Sequence, residues 1–246
     1  MKKNIYLIAI LSAFLLAGCN PSNIDDKDII VGASSTPHAL ILEQAKGYVE
    51  SQGYKLDIVV MTDYVTPNLS LDSGDLDANY FQHEPYLQDF NESNDTDLVS
   101  VAKIHFEPLG IYAGKKTNLD NIQPSDTVIV PNDTSNKARA LTLLQEHGLQ
   151  NCNIVEMEAQ AIPAALQDSE YAVINGNYAL SANVIDKVIV TESSDSEIAN
   201  TMGNIIAVKR GNENKPAIKV LVDAVTQENI RSYIQATFGA SVIALF

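Results

Sequence analysis

The sequence predicts a mixed α/β fold built as two lobes with a ligand cleft between them. Three observations carry this. Strand-like and helix-like stretches alternate through nearly the whole chain, they fall into two sets, and a purely helical tail follows the second set. At 246 residues the chain is long enough for two lobes of ordinary size.

The first set opens at Asp28 with "DIIVGAS", a short apolar run that leaves into small polar residues and reads as a strand. "HALILEQAKGYVESQG" places Ile41, Leu42, Ala45, Tyr48 and Val49 on one helical face and stops at Gly53. "LDIVVM" is a strand, "TPNLSLDSG" a short helix, "LDANYF" a strand, "EPYLQDF" a helical turn or two, and "LVSVAKIHF" a strand. Strands separated by helices imply parallel pairing. The second set follows "EPLGIYAGKK". It reads as strand "DTVIVPND", helix "SNKARALTLLQEHG", strand "CNIVEME", helix "AIPAALQD", strand "EYAVING", helix "NYALSAN" and strand "DKVIVTE". A last strand, "NIIAVKRG", precedes two amphipathic helices, with Ile218, Leu221, Val222 and Val225 on one and Ile230, Tyr233, Ile234 and Phe238 on the other. The expected organisation is a signal segment at 1–18, a tether at 19–27, a first lobe of 28–108 and 205–246, and a second lobe of 109–204.

The N-terminus indicates export. Lys2 and Lys3 precede the apolar run "IYLIAILSAFLL", too short for a permanent bilayer span, and Leu16-Ala17-Gly18-Cys19 follows. This resembles the bacterial lipobox, after whose cleavage Cys19 carries lipid chains. Several acyl chains on one residue anchor stably where one holds weakly. The other cysteine, Cys152, then lacks a partner, so no structural disulfide is expected. A net charge of −15 argues against a nucleic-acid partner, since phosphate binding needs an excess of Lys and Arg.

Ligands of open α/β sheets bind beyond the carboxyl ends of the strands. Tyr64, Phe81, His83, His105, Asn132 and Asn175 all fall at such places. The stretch "NYFQHEPYL" (Asn79 to Leu87) is compatible with a metal site, a catalytic base in a pocket, or a cage for an apolar ligand. His83, Glu84, His105 and Glu107 are candidate metal donors, but none of the four histidines has ligand spacing, and the interleaved Phe81, Tyr86 and Phe106 favour an apolar pocket. No nucleophile elbow, P-loop or dinucleotide fingerprint is present. In "PNDTSNKARAL", Thr134 or Ser135 is the expected N-cap of a helix whose first turn attracts anions. Arg139 sits about one turn in and reads either as a carboxylate clamp or as a surface ion pair. Asn175, just after "YAVI", can donate to one ligand group and accept from another, or simply form a turn with Gly176.

The stretches "TDYVTPN", "GDLDANYFQHEPYL", "VAKIHFEPLGIY", "VPNDTSNKARALTLLQ", "IVEMEAQAIPAALQD" and "YAVINGNYAL" together resemble the NlpA family of lipoproteins, methionine-binding proteins that serve ABC importers. The resemblance implies the two-lobed periplasmic-binding-protein fold, type II-like. It also implies L-methionine, or D-methionine or a methionine-containing peptide, as ligand, and an importer permease with its ATPase subunit as partners. The chain would be a monomer, extracytoplasmic, anchored to a membrane through Cys19, with no cofactor, no metal and no catalysis. By motif, Tyr64, Phe81, His83, Tyr86 and His105 would enclose the side chain, Arg139 supported by Asn136 would clamp the carboxylate, and Asn175 and Asn204 would bind the head group. Two departures stand out. After "LLQEHGL" the family usually carries a longer stretch than "QNCNIVEME", and Ala164 stands where an Arg often follows the Pro. Two other readings compete: His83 and His105 as an acid–base pair, and a surface lipoprotein acting as adhesin or immune target.

Overall fold

The structure, a computed structural model, describes residues 27–194 and 196–246. The signal segment, Cys19 and all of the tether except Lys27 lie outside the described residues.

The chain opens with β1 (Asp28–Ser34), which passes through a π-helical turn (Ser35–Ala39) into α1 (Leu40–Ser51). The buried face of α1 is Ile41, Leu42, Ala45 and Val49, the spacing that 3.6 residues per turn brings to one side. Next come β2 (Lys55–Met61), α2 (Thr66–Ser73), β3 (Ala78–His83), α3 (Glu84–Asn94) and β4 (Leu98–Phe106). Pro67 and Pro85 occupy the first turns of α2 and α3, where a missing N–H costs nothing. The chain then crosses over and forms β5 (Gly110–Ala113), β6 (Thr127–Pro131), α4 (Thr134–Glu146) and β7 (Asn153–Met157). After these come α5 (Ile162–Ala165), β8 (Tyr171–Ile174), α6 (Gly176–Ser181) and β9 (Val188–Thr191). It returns through α7 (Ser196–Thr201) to β10 (Asn204–Lys209), and ends with α8 (Pro216–Val225), α9 (Glu228–Phe238) and β11 (Ile243–Ala244).

Two sheets result, ordered β11-β4-β10-β3-β1-β2 and β7-β6-β8-β5-β9. This is the two-lobed α/β architecture expected from the alternating pattern. The expectation of parallel pairing needs correction at two interior places. β10 runs antiparallel to both β3 and β4, and β5 runs antiparallel to both β8 and β9. The reason is geometric. A chain leaving one sheet at its cleft-facing carboxyl edge enters the other sheet at the same kind of edge, so its first strand there opposes its neighbours. β5 and β11 are too short to show a periodicity and escaped the sequence reading.

Each sheet is covered on both faces, as parallel strands require. Val31, Tyr80, Ile104 and Ile206 pack with α1, α8 and α9, while Leu71, Leu87, Leu98 and Ile205 fill the opposite side. In the second sheet, Val128, Val130 and Val173 pack toward Leu143 and Leu144 of α4. Their alternate neighbours Ile129, Ala172 and Ile174 pack toward Ile162 and Leu166. The crossovers, residues 107–109 and 192–203, border glycines at close approaches. A Cβ on Gly110 would lie 2.8 Å from the Tyr112 ring, and one on Gly203 would lie 2.6 Å from the Leu245 side chain. No helix among the described residues is long and apolar enough to cross a membrane.

Candidate ligand-binding site

Between the lobes lies a small, tightly lined cavity. The first lobe contributes Tyr64, Phe81, His83 and Tyr86; the second contributes Asn136, Arg139 and Asn175; Asn204 joins them from the start of β10. These residues are scattered over 140 positions, and the carboxyl ends of β2, β3, β6 and β8 bring them together. His105 is fully buried and does not line the cavity. Gln82, Gly176 and Asn177, to which the sequence assigned no binding role, do line it, and so does Glu107, expected only as a candidate metal donor.

One wall is aromatic. Phe81 lies 5.7 Å from the Tyr64 ring and 6.0 Å from Tyr86, and Tyr64 lies 4.9 Å from Tyr178 across the cleft. The phenol tips hold the lobes together. Tyr64 Oη donates to Asn177 Oδ1 at 2.6 Å, and Tyr178 Oη donates to the Thr62 carbonyl at 3.1 Å. Burial pushes both phenols well up from their usual range, so both remain donors.

The opposite wall is a chain of hydrogen bonds whose direction is fixed at one end. Asp133, rather than Thr134 or Ser135, caps α4, and its Oδ1 accepts from the Asn136 backbone N–H and from Asn136 Nδ2, both at 2.9 Å. That orients the Asn136 amide. Its Oδ1 then accepts from Asn175 Nδ2 at 2.8 Å and from His83 Nε2 at 3.2 Å. His83 Nδ1 accepts from the Tyr86 N–H, so His83 caps α3. Asn175 Oδ1 is left buried at the cavity without a hydrogen-bond partner.

Arg139 is both ion-paired and at the cavity. Its Nε donates to both oxygens of Glu192 at 2.9 Å, and Nη2 donates to Glu192 and to the Glu107 carbonyl, the latter at 2.8 Å. The Phe106 ring lies beneath the guanidinium at 5.6 Å. Nη1 is the remaining nitrogen for a further acceptor. Glu192 lies on the second crossover, 53 residues from Arg139, and no local pattern marks it.

Behind this wall, the Tyr80 hydroxyl bonds His105 Nδ1, and His105 Nε2 donates to Glu107 Oε1 at 2.7 Å. His38 Nε2 lies 2.9 Å from Asn204 Oδ1 and 3.6 Å from the same Glu107 oxygen. Gly176 admits the Glu107 carboxylate, since a Cβ there would lie 2.8 Å from Oε2. His38, His105 and Glu107 bring ligating atoms within 4.8 Å of one another, a different set from the donors suggested by sequence. Each imidazole Nε2 lies within hydrogen-bonding distance of an oxygen, so the trio is a hydrogen-bonded network.

Burial pulls His38 and His83 from 6.5 down to about 4, and His105 down to about 3. All three are therefore neutral at pH 7, whereas the unfolded chain takes up protons near 6.5. Between pH 6.5 and 4 the unfolded state binds more protons, so stability falls as pH falls, by about 1.4 kcal/mol per unit for each histidine. Burial pushes Glu107 and Asp133 up, and these two act in the opposite sense. The expected net result is a urea midpoint that drops from pH 7 to pH 5, with a shallower drop in His38→Gln. A midpoint that rises over that range would contradict the burial argument.

Comparison with known proteins places the chain. The NlpA lipoprotein family model matches residues 29–153 and 149–246, two pieces that meet where the sequence reads as shortened after α4. The chain belongs to the NlpA lipoprotein family. Methionine-binding lipoprotein MetQ of Bacillus subtilis is 30% identical over 275 residues, spanning 98% of each chain. A nutrient binding protein from Burkholderia cenocepacia, solved bound to methionine, is 33% identical with a TM-score of 0.83, over 89% of this chain and all of the other. An ABC transporter periplasmic substrate-binding protein from Coxiella burnetii is 32% identical with a TM-score of 0.82, over 88% of this chain and all of the other. These matches run through both lobes of this NlpA chain, and with them the cavity between the lobes.

Proposed function

We propose that this NlpA protein is a lipid-anchored, extracytoplasmic solute-binding protein that closes on methionine, L-methionine first, and delivers it to an ABC importer. The observation that carries the reading is a cavity between the lobes with an aromatic wall facing a polar one that holds Arg139 and the unpartnered Asn175 Oδ1. A thioether suits the edges and faces of Tyr64, Phe81 and Tyr86. The ligand carboxylate takes Arg139, the ammonium takes Asn175 Oδ1, and Asn136, His83 and Asn204 hold these groups in place. His105 acts from behind the wall through Glu107. The named relatives, one called methionine-binding and one solved with methionine, support the ligand.

Closing and opening occur at the two crossovers, with Tyr64–Asn177, Tyr178–Thr62 and His83–Asn136 as the bonds that form across the cleft. Lipid on Cys19 holds the monomer at the membrane, where a permease and its ATPase subunit receive the ligand. No covalent step, cofactor or metal enters the cycle. Mass spectrometry of small molecules released on denaturing the purified protein tests the reading: methionine is the expected species, and a sugar or a metal ion in its place would overturn it.

A further inference from the structure

We propose that Glu107 is the counter-charge for the ligand's ammonium group, and that it makes a free α-amino group obligatory for binding. The inference rests on the amino-acid reading of the cavity and narrows its substrate class to α-amino acids with an unblocked nitrogen.

Glu107 occupies the first crossover, 6% exposed, with its side chain on the cavity. Its carbonyl takes Arg139 Nη2 at 2.8 Å, so one residue anchors the guanidinium and presents a carboxylate beside it. An α-amino acid carries its two charged groups on adjacent atoms and matches that pairing. The carboxylate meets donors only. Among the described residues the fully buried Tyr80 hydroxyl bonds only His105 Nδ1, so it has to donate there, which leaves the imidazole proton on Nε2, directed at Glu107 Oε1 at 2.7 Å. The Asn177 backbone N–H and His38 Nε2 also face the group. A protonated carboxyl would need an acceptor, and these neighbours offer none.

Charge balance points the same way. Arg139 is matched by Glu192, and the two imidazoles beside Glu107 are neutral, so the buried carboxylate has no full positive charge of its own. A buried carboxylate without a cation is costly, and a ligand ammonium removes that cost. Asn175 Oδ1, buried and unpartnered on the same cavity, is the second acceptor.

The test compares L-methionine with the 2-hydroxy acid of the same skeleton by calorimetry. The wild type should prefer methionine by on the order of 100-fold. In Glu107→Gln the preference should shrink below about tenfold, while Glu107→Asp, which keeps the charge, should retain most of it. A wild-type preference under about tenfold overturns the proposal, whether or not the variants fold, and so does an undiminished preference in folded Glu107→Gln. If the wild type binds neither compound, the amino-acid reading itself falls and this inference with it.

Discussion

Replacing Arg139 by alanine is expected to abolish measurable methionine binding. The guanidinium lines the cavity, is about 6% exposed, and is held by Glu192, by the Glu107 carbonyl and by the Phe106 ring. It is therefore pre-placed, and a ligand carboxylate meets it without further ordering. Truncating one partner of a buried, hydrogen-bonded charge pair costs roughly 2–5 kcal/mol. That is about 30- to several-thousand-fold in affinity. The same change strands Glu192, and breaking a buried pair costs stability on the order of 3–5 kcal/mol. Circular dichroism must therefore accompany the titration. Arg139→Lys separates the two effects, because it keeps a positive charge near Glu192 but loses the planar fork. It should fold better than the alanine variant and still bind weakly. Wild-type affinity in folded Arg139→Ala would sink the carboxylate assignment.

Phe81→Ala should produce the second-largest effect, through apolar contact instead of charge. Phe81 is 3% exposed and packs between Tyr64 and Tyr86, with Phe90 behind. Removing a buried phenylalanine costs about 3–5 kcal/mol of stability when the site cannot collapse. A ligand side chain that loses one aromatic wall should bind about 10- to 100-fold more weakly, from the area it no longer buries. Phe81→Leu keeps most of the volume and should lose much less of both. Equal affinity in Phe81→Ala and the wild type would mean that the ligand side chain lies elsewhere.

The sequence made the elements legible because their signals are local. The apolar face of α1 and the prolines opening α2 and α3 can be read within a dozen residues. The placement of β10 between β3 and β4, and of β5 between β8 and β9, depends on where a distant crossover lands, and no local pattern encodes it. The aromatic wall was visible as "NYFQHEPYL", Arg139 by its place about one turn into a helix, and Asn175 by its place after a strand. Glu192 was not visible, since its meaning comes only from Arg139 53 residues away. Glu107 was noticed only as a metal donor, because the residues that define it, His38, His105 and Gly176, converge from three separate segments. His105 looked like a ligand contact from its position near the end of a strand. Its side chain instead turns behind the wall, toward Tyr80 and Glu107.

Within "NYFQHEPYL" itself the roles also became sharper. His83 is committed on both nitrogens, capping α3 and reaching Asn136 across the cleft, so it acts as a latch between the lobes. Tyr86 donates to the Tyr64 carbonyl at 2.9 Å and so braces the loop that carries the facing ring.

The central claim is that this cavity is built for methionine. Calorimetric titration of L-methionine into ligand-stripped protein tests it most directly, with leucine and glutamate titrated alongside. The account predicts saturable binding of one methionine per chain, with leucine and glutamate far weaker. Leucine lacks the thioether, and glutamate would bring a second carboxylate into the aromatic wall. No heat from methionine, or an affinity no better than that of glutamate, would contradict it.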